Sequence, residues 1–267
     1  MHGKQNNVKS ALGVMLMLVS LQAVPAGWQE SPALGALFDS AGVTGTFVLY
    51  DADVGGLVGH NEPRARTRFV PASTFKIPNS LIGLSVGAVA SVDVVLPYGG
   101  QPQPYPAWER DMGLRDAIAI SNVPIYQALA RRIGLERMQV WVSKLGFGNE
   151  DIGTTVDRFW LDGPLAISAV EQTRFLARLA RGDLPVSGEI QASVRDIVLL
   201  DAGDDWRLYG KTGWENAPDP GVGWWVGWVE RDDRVYAFAL NMAMQEGTDP
   251  GVRTELGRAC LEALGVL

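Results

Sequence analysis

Two β-hairpin patterns stand at opposite ends of this chain, and one sheet has to reunite them. The first is "GTFVLYDADVGGLVGHN" (45–61), two β-rich runs around an Asp/Gly turn. The second is "WWVGWVERDDRVYAFALNM" (224–242), whose charged turn "ERDDR" separates two alternating apolar runs. A further strand pattern, "RLYGKTGW" (207–214), leads into it, and "GVRTELGRACLEALGVL" closes the chain as an amphipathic helix. Between the ends the periodicity is helical: "STFKIPNSLIGLSVGAV", "LRDAIAISNVPIYQALARRIG", "ERMQVWVSKLG" and "SAVEQTRFLARLARG". A Pro/Gly/aromatic loop, "PYGGQPQPYPAWERD" (97–111), interrupts them. The expected fold is α/β of the α+β type. An antiparallel sheet comes from both chain ends (about 43–70 and 205–267), flanked by helices, with a mainly helical region of about 71–204 inserted.

The segment before the first hairpin reads differently. Lys4 and Lys9 precede an apolar run, Ala11 to Leu21, and "AVPAG" follows with small residues at Val24 and Ala26. That order is the pattern of a secretory signal peptide over residues 1–26, with a mature catalytic domain over 27–267. The apolar run is short for a bilayer span, so no stable membrane association is expected after cleavage. Losing Lys4 and Lys9 takes the net charge from −7 to −9. An acidic chain without a lysine/arginine run is a poor ligand for nucleic acid.

Cleavage would also remove His2 and leave His60 as the one histidine. Histidine-based metal clusters are then excluded, and Cys260, the single cysteine, supports neither a zinc site nor an internal disulfide. His60 ends a hairpin strand and reads as structural, and no Gly-rich phosphate loop follows a strand.

The remaining chemistry is hydroxyl and amine. In "VPASTFKIPNS" (70–80) Lys76 follows Ser73 by three residues, between Phe75 and Ile77. If Ser73 opens a helix, Lys76 lies one turn on, within reach of the hydroxyl, and the helix start favours a developing oxyanion. Apolar neighbours destabilise an ammonium and so make a base of a lysine. Taken alone, S-x-x-K arises by chance about once in a chain of this size and describes a capping serine with an exposed lysine. Lys211-Thr212-Gly213 sits on the strand before the second hairpin, where a lysine and a hydroxyl on a sheet edge suit an anionic, amide-bearing ligand. Ser121-Asn122-Val123 follows the helical run "LRDAIAI". Alone, these are a turn lysine and a capping serine.

Together and in this order, the three motifs resemble the active-site serine penicillin-recognising enzymes. With "FGN" (147–149), "FWLDGPLAISAVEQ" (159–172) and "YGKTGW" (209–214), the chain resembles their class D, or oxacillinase-type, serine β-lactamases over essentially its whole mature length. The class A signature S-D-N is absent. The resemblance implies hydrolysis of the β-lactam ring of penicillin-type antibiotics, hence resistance, by an enzyme of the bacterial periplasm. It implies Ser73 as nucleophile and Lys76 as a carbamylated lysine (N6-carboxylysine) acting as general base, with no cofactor beyond carbon dioxide or bicarbonate and no metal. Phe75, Val123 and Leu161 match the apolar lining of the carbamate pocket, and Trp160 matches the indole donor to the carbamate. Ser121 matches a proton relay to the departing lactam nitrogen. Lys211, Thr212, Gly213, Trp214 and Arg253 match the groups that bind substrate, with the amides of Ser73 and Trp214 as oxyanion hole. Phe147 stands where many relatives have tyrosine. Two rivals share the motifs: a β-lactam sensor domain that stays acylated, and a D,D-peptidase acting on cell-wall peptides.

Overall fold

The computed structural model describes residues 27–215 and 220–267. The expected signal peptide (1–26) and residues 216–219 lie outside them. Seven strands form one sheet in the order β1-β3-β2-β7-β6-β5-β4. They are β1 (Trp28–Glu30), β2 (Gly45–Asp51), β3 (Gly56–His60), β4 (Leu199–Ala202), β5 (Trp206–Glu215), β6 (Gly221–Arg231) and β7 (Arg234–Met244). Both chain ends contribute, and β2 pairs with β7 at the centre.

Helices α1 (Pro32–Ala41) and α9 (Val252–Ala263) cover one face. The other face meets the inserted region, where α7 (Ala169–Arg181) lies on β7, β2 and β6. The region also holds α3 (Lys76–Ser85), α4 (Leu114–Ala119), α5 (Val123–Ile133), α6 (Leu135–Leu145) and α8 (Gly188–Ile197), and the short α2 (Glu62–Arg66) precedes it.

The sequence of the second hairpin divides its side chains between the two layers. Trp225, Phe238, Leu240 and Met242 pack with Leu34 and Phe38 of α1 and Leu256 and Cys260 of α9. Trp224, Val226, Trp228, Ala237 and Ala239 pack on the helical side with Leu176 and Leu179. Strands covered on both faces carry apolar residues at every position, and β6 is buried from Gly221 to Val229. The chain reverses at Asp232 and Asp233, both at positive φ (51° and 60°), the combination that a tight two-residue hairpin turn requires. Close approach also fixes Gly257: a Cβ there would meet the Trp225 ring at 2.1 Å.

Four expectations need correction. The sheet extends beyond the predicted bounds, since β1 precedes residue 43 and β4 lies inside the segment assigned to helices. Residues 61–70 leave the sheet as α2 and a single bridge, Phe69 with Ile167. β1 pairs with β3 in parallel, so the sheet is not wholly antiparallel. Ser73 does not open the long helix. It lies inside a 3₁₀ turn, Ala72–Phe75, and α3 begins at Lys76. β1 and β4 escaped notice because three or four residues carry no period, and every residue of β4 is exposed.

Candidate active site

Three segments far apart in sequence meet around the 3₁₀ turn that carries Ser73. The turn is fixed from below and beside. Thr74 Oγ1 donates to Pro71 O (2.8 Å), Gln172 of α7 donates to Thr74 Oγ1 (2.9 Å), and the Trp224 indole of β6 donates to Val70 O (2.9 Å). Strand β5 passes so close that a Cβ on Gly213 would stand 2.9 Å from Pro71 O and 3.0 Å from Thr74 Cγ2. The glycine of K-T-G is therefore what lets the strand reach the turn that carries Ser73. Ala72, immediately before Ser73, adopts φ 48°, a sparsely populated conformation for a residue with a Cβ. Ser121 does the same at φ 57°, where the chain breaks between α4 and α5. Strained backbone that persists at such positions is held by its surroundings and is common at functional sites.

Lys76 is fully buried, and its Nζ donates to Ser73 Oγ at 2.6 Å. Burial, and secondarily the charge of Lys211, hold its pKa well below the ordinary lysine value. Desolvation penalises the charged amine. No carboxylate pairs with Lys76 among the described residues. Beyond Ser73, the Tyr126 ring lies 5.4 Å from Nζ, and Ser80 donates to Lys76 O (2.8 Å) and lies 2.9 Å from Tyr126 Oη. Phe75 turns away from the cleft into the core, stacked on Trp160 (centroids 5.5 Å apart) and edge-on to Phe147 and Phe159. The Trp160 indole N–H is buried without a hydrogen-bond acceptor. An unpaired buried donor of this kind costs about 1–3 kcal/mol.

The cleft above Ser73 has a volume of ≈ 620 Å³. Ser121, Val123 and Leu161 line one side, and Thr212, Gly213, Trp214 and Arg253 the other. Lys211 is buried, with Nζ donating to Thr212 O (3.0 Å) and Oγ1 (3.3 Å). Desolvation, then Arg253, lower its pKa to about 7. Arg253 lies at the start of α9 and is only 8% exposed. Its Nη1 donates to Gly213 O at 2.5 Å, and its Nε to Pro250 O at 2.8 Å. Arg253 is thus buried against β5 rather than exposed at the helix end. Trp214 is 38% exposed beside the Arg253 guanidinium, which lies 5.9 Å from its ring centroid.

Of the site residues singled out in sequence, Ser73, Ser121, Val123, Leu161, Thr212, Gly213, Trp214 and Arg253 line the cleft, while Lys76, Lys211, Phe75 and Trp160 are buried behind it. Asn122, the middle of the second motif, has a structural duty: it caps α5 by accepting from Ile125 N and donates to Trp108 O (3.3 Å). His60 is structural as well, 3.3 Å from Glu30 and beside Phe38. Sequence reasoning missed Tyr105, Asp162 and Glu215 as cleft residues. Glu215 had a signal: on a strand it shares a face with Lys211, four residues earlier. Tyr105 in an irregular loop had none.

The arrangement offers a hydroxyl in contact with an unpaired buried amine, and a cationic floor for an anion. Residues 45–262 match the penicillin binding protein transpeptidase domain. The chain is 40% identical to "Beta-lactamase OXA-48" of Klebsiella pneumoniae, over 95% of this chain and 96% of that one. It is 36% identical to "Beta-lactamase OXA-10" of Pseudomonas aeruginosa, over 95% and 97%. Among solved structures it is similar to FUS-1 (OXA-85), a class D β-lactamase of Fusobacterium nucleatum subsp. polymorphum, with TM-score 0.86 and 41% identity over 90% of this chain and all of that one. The class D enzyme YbXI from Nostoc gives TM-score 0.85 and 40% identity, over 88% and 99%.

Proposed function

Since this chain belongs to the class D serine β-lactamases, we propose that it opens β-lactam rings through an acyl-enzyme on Ser73, with Lys76 as a carbamylated general base. Hydrolysis of β-lactams, and with it resistance, is the activity of the family. The observation that carries the finer reading is Lys76 itself, buried and without a carboxylate partner at 2.6 Å from Ser73. A neutral amine adds to carbon dioxide and releases one proton, leaving a carboxylate on Nζ. Trp160 supports this reading, because its buried indole N–H has no acceptor and its ring stacks on Phe75, the residue next to Lys76.

In acylation, Ser73 Oγ loses its proton to the base and attacks the lactam carbonyl, whose oxygen takes hydrogen bonds from the amides of Ser73 and Trp214. The ring C–N bond then breaks, and Ser121 relays to the departing nitrogen the proton that the base took from Ser73, which frees the base and leaves Ser121 a hydroxyl. In deacylation, the base takes a proton from water, which attacks the ester, and Ser73 leaves as the free hydroxyl. Lys211, Thr212 and Arg253 hold the carboxylate of the antibiotic. An anion arriving there favours the protonated form of Lys211. The charged residues 4 and 9 and the apolar run after them support export to the periplasm as part of the same proposal.

Purified protein with a chromogenic cephalosporin tests the reaction. Many turnovers per molecule are expected. A single stoichiometric burst followed by a stable adduct would instead mark a sensor. Trp160→Phe keeps the aromatic stack against Phe75 and deletes only the N–H. It is expected to lower kcat by at least ~10-fold and to accumulate acyl-enzyme visible by intact-protein mass spectrometry. Normal turnover with no trapped adduct would leave Trp160 a core aromatic only.

A further inference from the structure

Glu215 stands on the wall of the cleft, and no step above uses it. Strand β5 pairs with β4 only over Arg207–Tyr209, and Gly210 N donates to Val198 O (2.9 Å). From Lys211 to Glu215 no further described strand pairs along that edge, and the cleft lies there. An open edge can hold an amide-bearing ligand by strand-like hydrogen bonds. The groups along it also set the ligand's direction. Lys211 and Thr212 take the carboxylate of the antibiotic and the Trp214 amide its carbonyl, so the acylamino side chain runs on toward Glu215. Residues i and i+2 of a strand share a face about 7 Å apart. Lys211, Gly213 and Glu215 therefore share one face, and Gly213 marks it as the face against the Ser73 turn.

Asp162 lies on the wall with Leu161, and its carboxylate is paired with Arg158 at 2.5 Å. Glu215 has no cationic partner among the described residues. Partial burial, and then the charge of Asp162, raise its pKa, so the two carboxylates sense one another. The cleft thus carries cations (Lys211, Arg253) at its inner end and uncompensated negative charge where the side chain of the antibiotic emerges.

We propose that Glu215 is a specificity-determining residue that favours β-lactams whose acylamino side chain bears a positive charge over those bearing a second carboxylate there. This deepens the β-lactamase reading and rests on it. The preferred substrate is a zwitterion laid along β5, carboxylate inward and ammonium outward.

Ampicillin and carbenicillin test it, since they share a phenyl-substituted side chain but carry an α-ammonium and an α-carboxylate respectively. The readout is the ratio of their kcat/KM values for wild type, Glu215→Gln and Glu215→Lys near neutral pH. Both substrates meet the same preparation, so the ratio does not depend on how much of a variant has folded. In Glu215→Gln the ampicillin-to-carbenicillin ratio is expected to fall on the order of 10-fold, chiefly through KM. Glu215→Lys should lower it further, and high salt should shrink the wild-type preference. A ratio within about twofold of wild type in both variants overturns the proposal. Benzylpenicillin, with an uncharged side chain, separates the two failures. If wild type turns it over and the ratio is unmoved, only the role of Glu215 falls. If wild type turns over none of the three, the β-lactamase reading falls with it.

Discussion

Ser73→Ala is expected to give a folded protein that still binds β-lactams and turns over none of them, with kcat reduced at least ~10⁴-fold. The fold should tolerate the change because no contact holding the turn involves the hydroxyl. Thr74, Gln172, the Trp224 indole and the close passage of Gly213 fix that turn, while Ser73 Oγ meets only Lys76 Nζ. A thermal melt near that of wild type, an unchanged far-ultraviolet circular dichroism spectrum and no covalent adduct by mass spectrometry are the expected results together. Wild-type-like hydrolysis by such a folded variant would remove Ser73 from the nucleophile's role.

Lys76→Ala is expected to lose nearly as much, at least ~10³-fold, and to stay inactive at every bicarbonate concentration. Wild type should behave differently. Burial lowers the Lys76 pKa well below the usual value, so the native amine is neutral over a pH range in which a free lysine is charged. As pH falls through the native value the amine protonates, any carbamate is driven toward loss of carbon dioxide, and activity should decline. Added bicarbonate at mildly acidic pH should then restore it. The same shift has a thermodynamic side. Between the native value and about 10.4 the unfolded chain binds the Lys76 proton and the native state does not, so stability rises with pH across that window. Lys76→Met, which titrates nothing, should therefore be more stable than carbamate-free wild type near neutrality, and the gap should narrow as pH rises. Chemical denaturation of the two proteins at several pH values in degassed buffer measures this. Lys76→Ala that deacylates at the wild-type rate would rule out the carbamate.

The large elements were legible because they carry a period. The hairpins that became β2–β3 and β6–β7, and the amphipathic α6, α7 and α9, declare themselves by apolar spacing alone. Helix α7 adds a capping box, Ser168 with Glu171, at its start. β1 and β4 are too short for a period, and α1 and α8 were not resolved from their surroundings by pattern. Within the cleft, Ser73, Ser121 and Lys211 were readable as motifs, but the bend that brings Ser121 to the cleft was not. Its φ of 57° falls at the break between α4 and α5, and no serine codes for it. The burial of Arg253 was equally hidden, because it depends on the β5 carbonyl and the Pro250 loop that meet its guanidinium. The cleft role of Glu215 needed only strand alternation, counted on from Lys211.

Pairing of β2 with β7 joins residues almost two hundred positions apart, Gly45 with Met242 and Asp51 with Tyr236. Contacts of such sequence separation make a chain's contact order high, and high contact order slows folding. The turn that carries Ser73 and strand β5 opposite it both lie inside that long closure, one following its first strand and the other preceding its last. The cleft is therefore a seam that closes only when the N-terminal hairpin, the inserted helices and the C-terminal strands have docked. Catalytic competence should be among the last properties the chain acquires as it folds. Until then the apolar faces of β6 and β7 lack their native cover, so the interval before closure should be the one most exposed to aggregation.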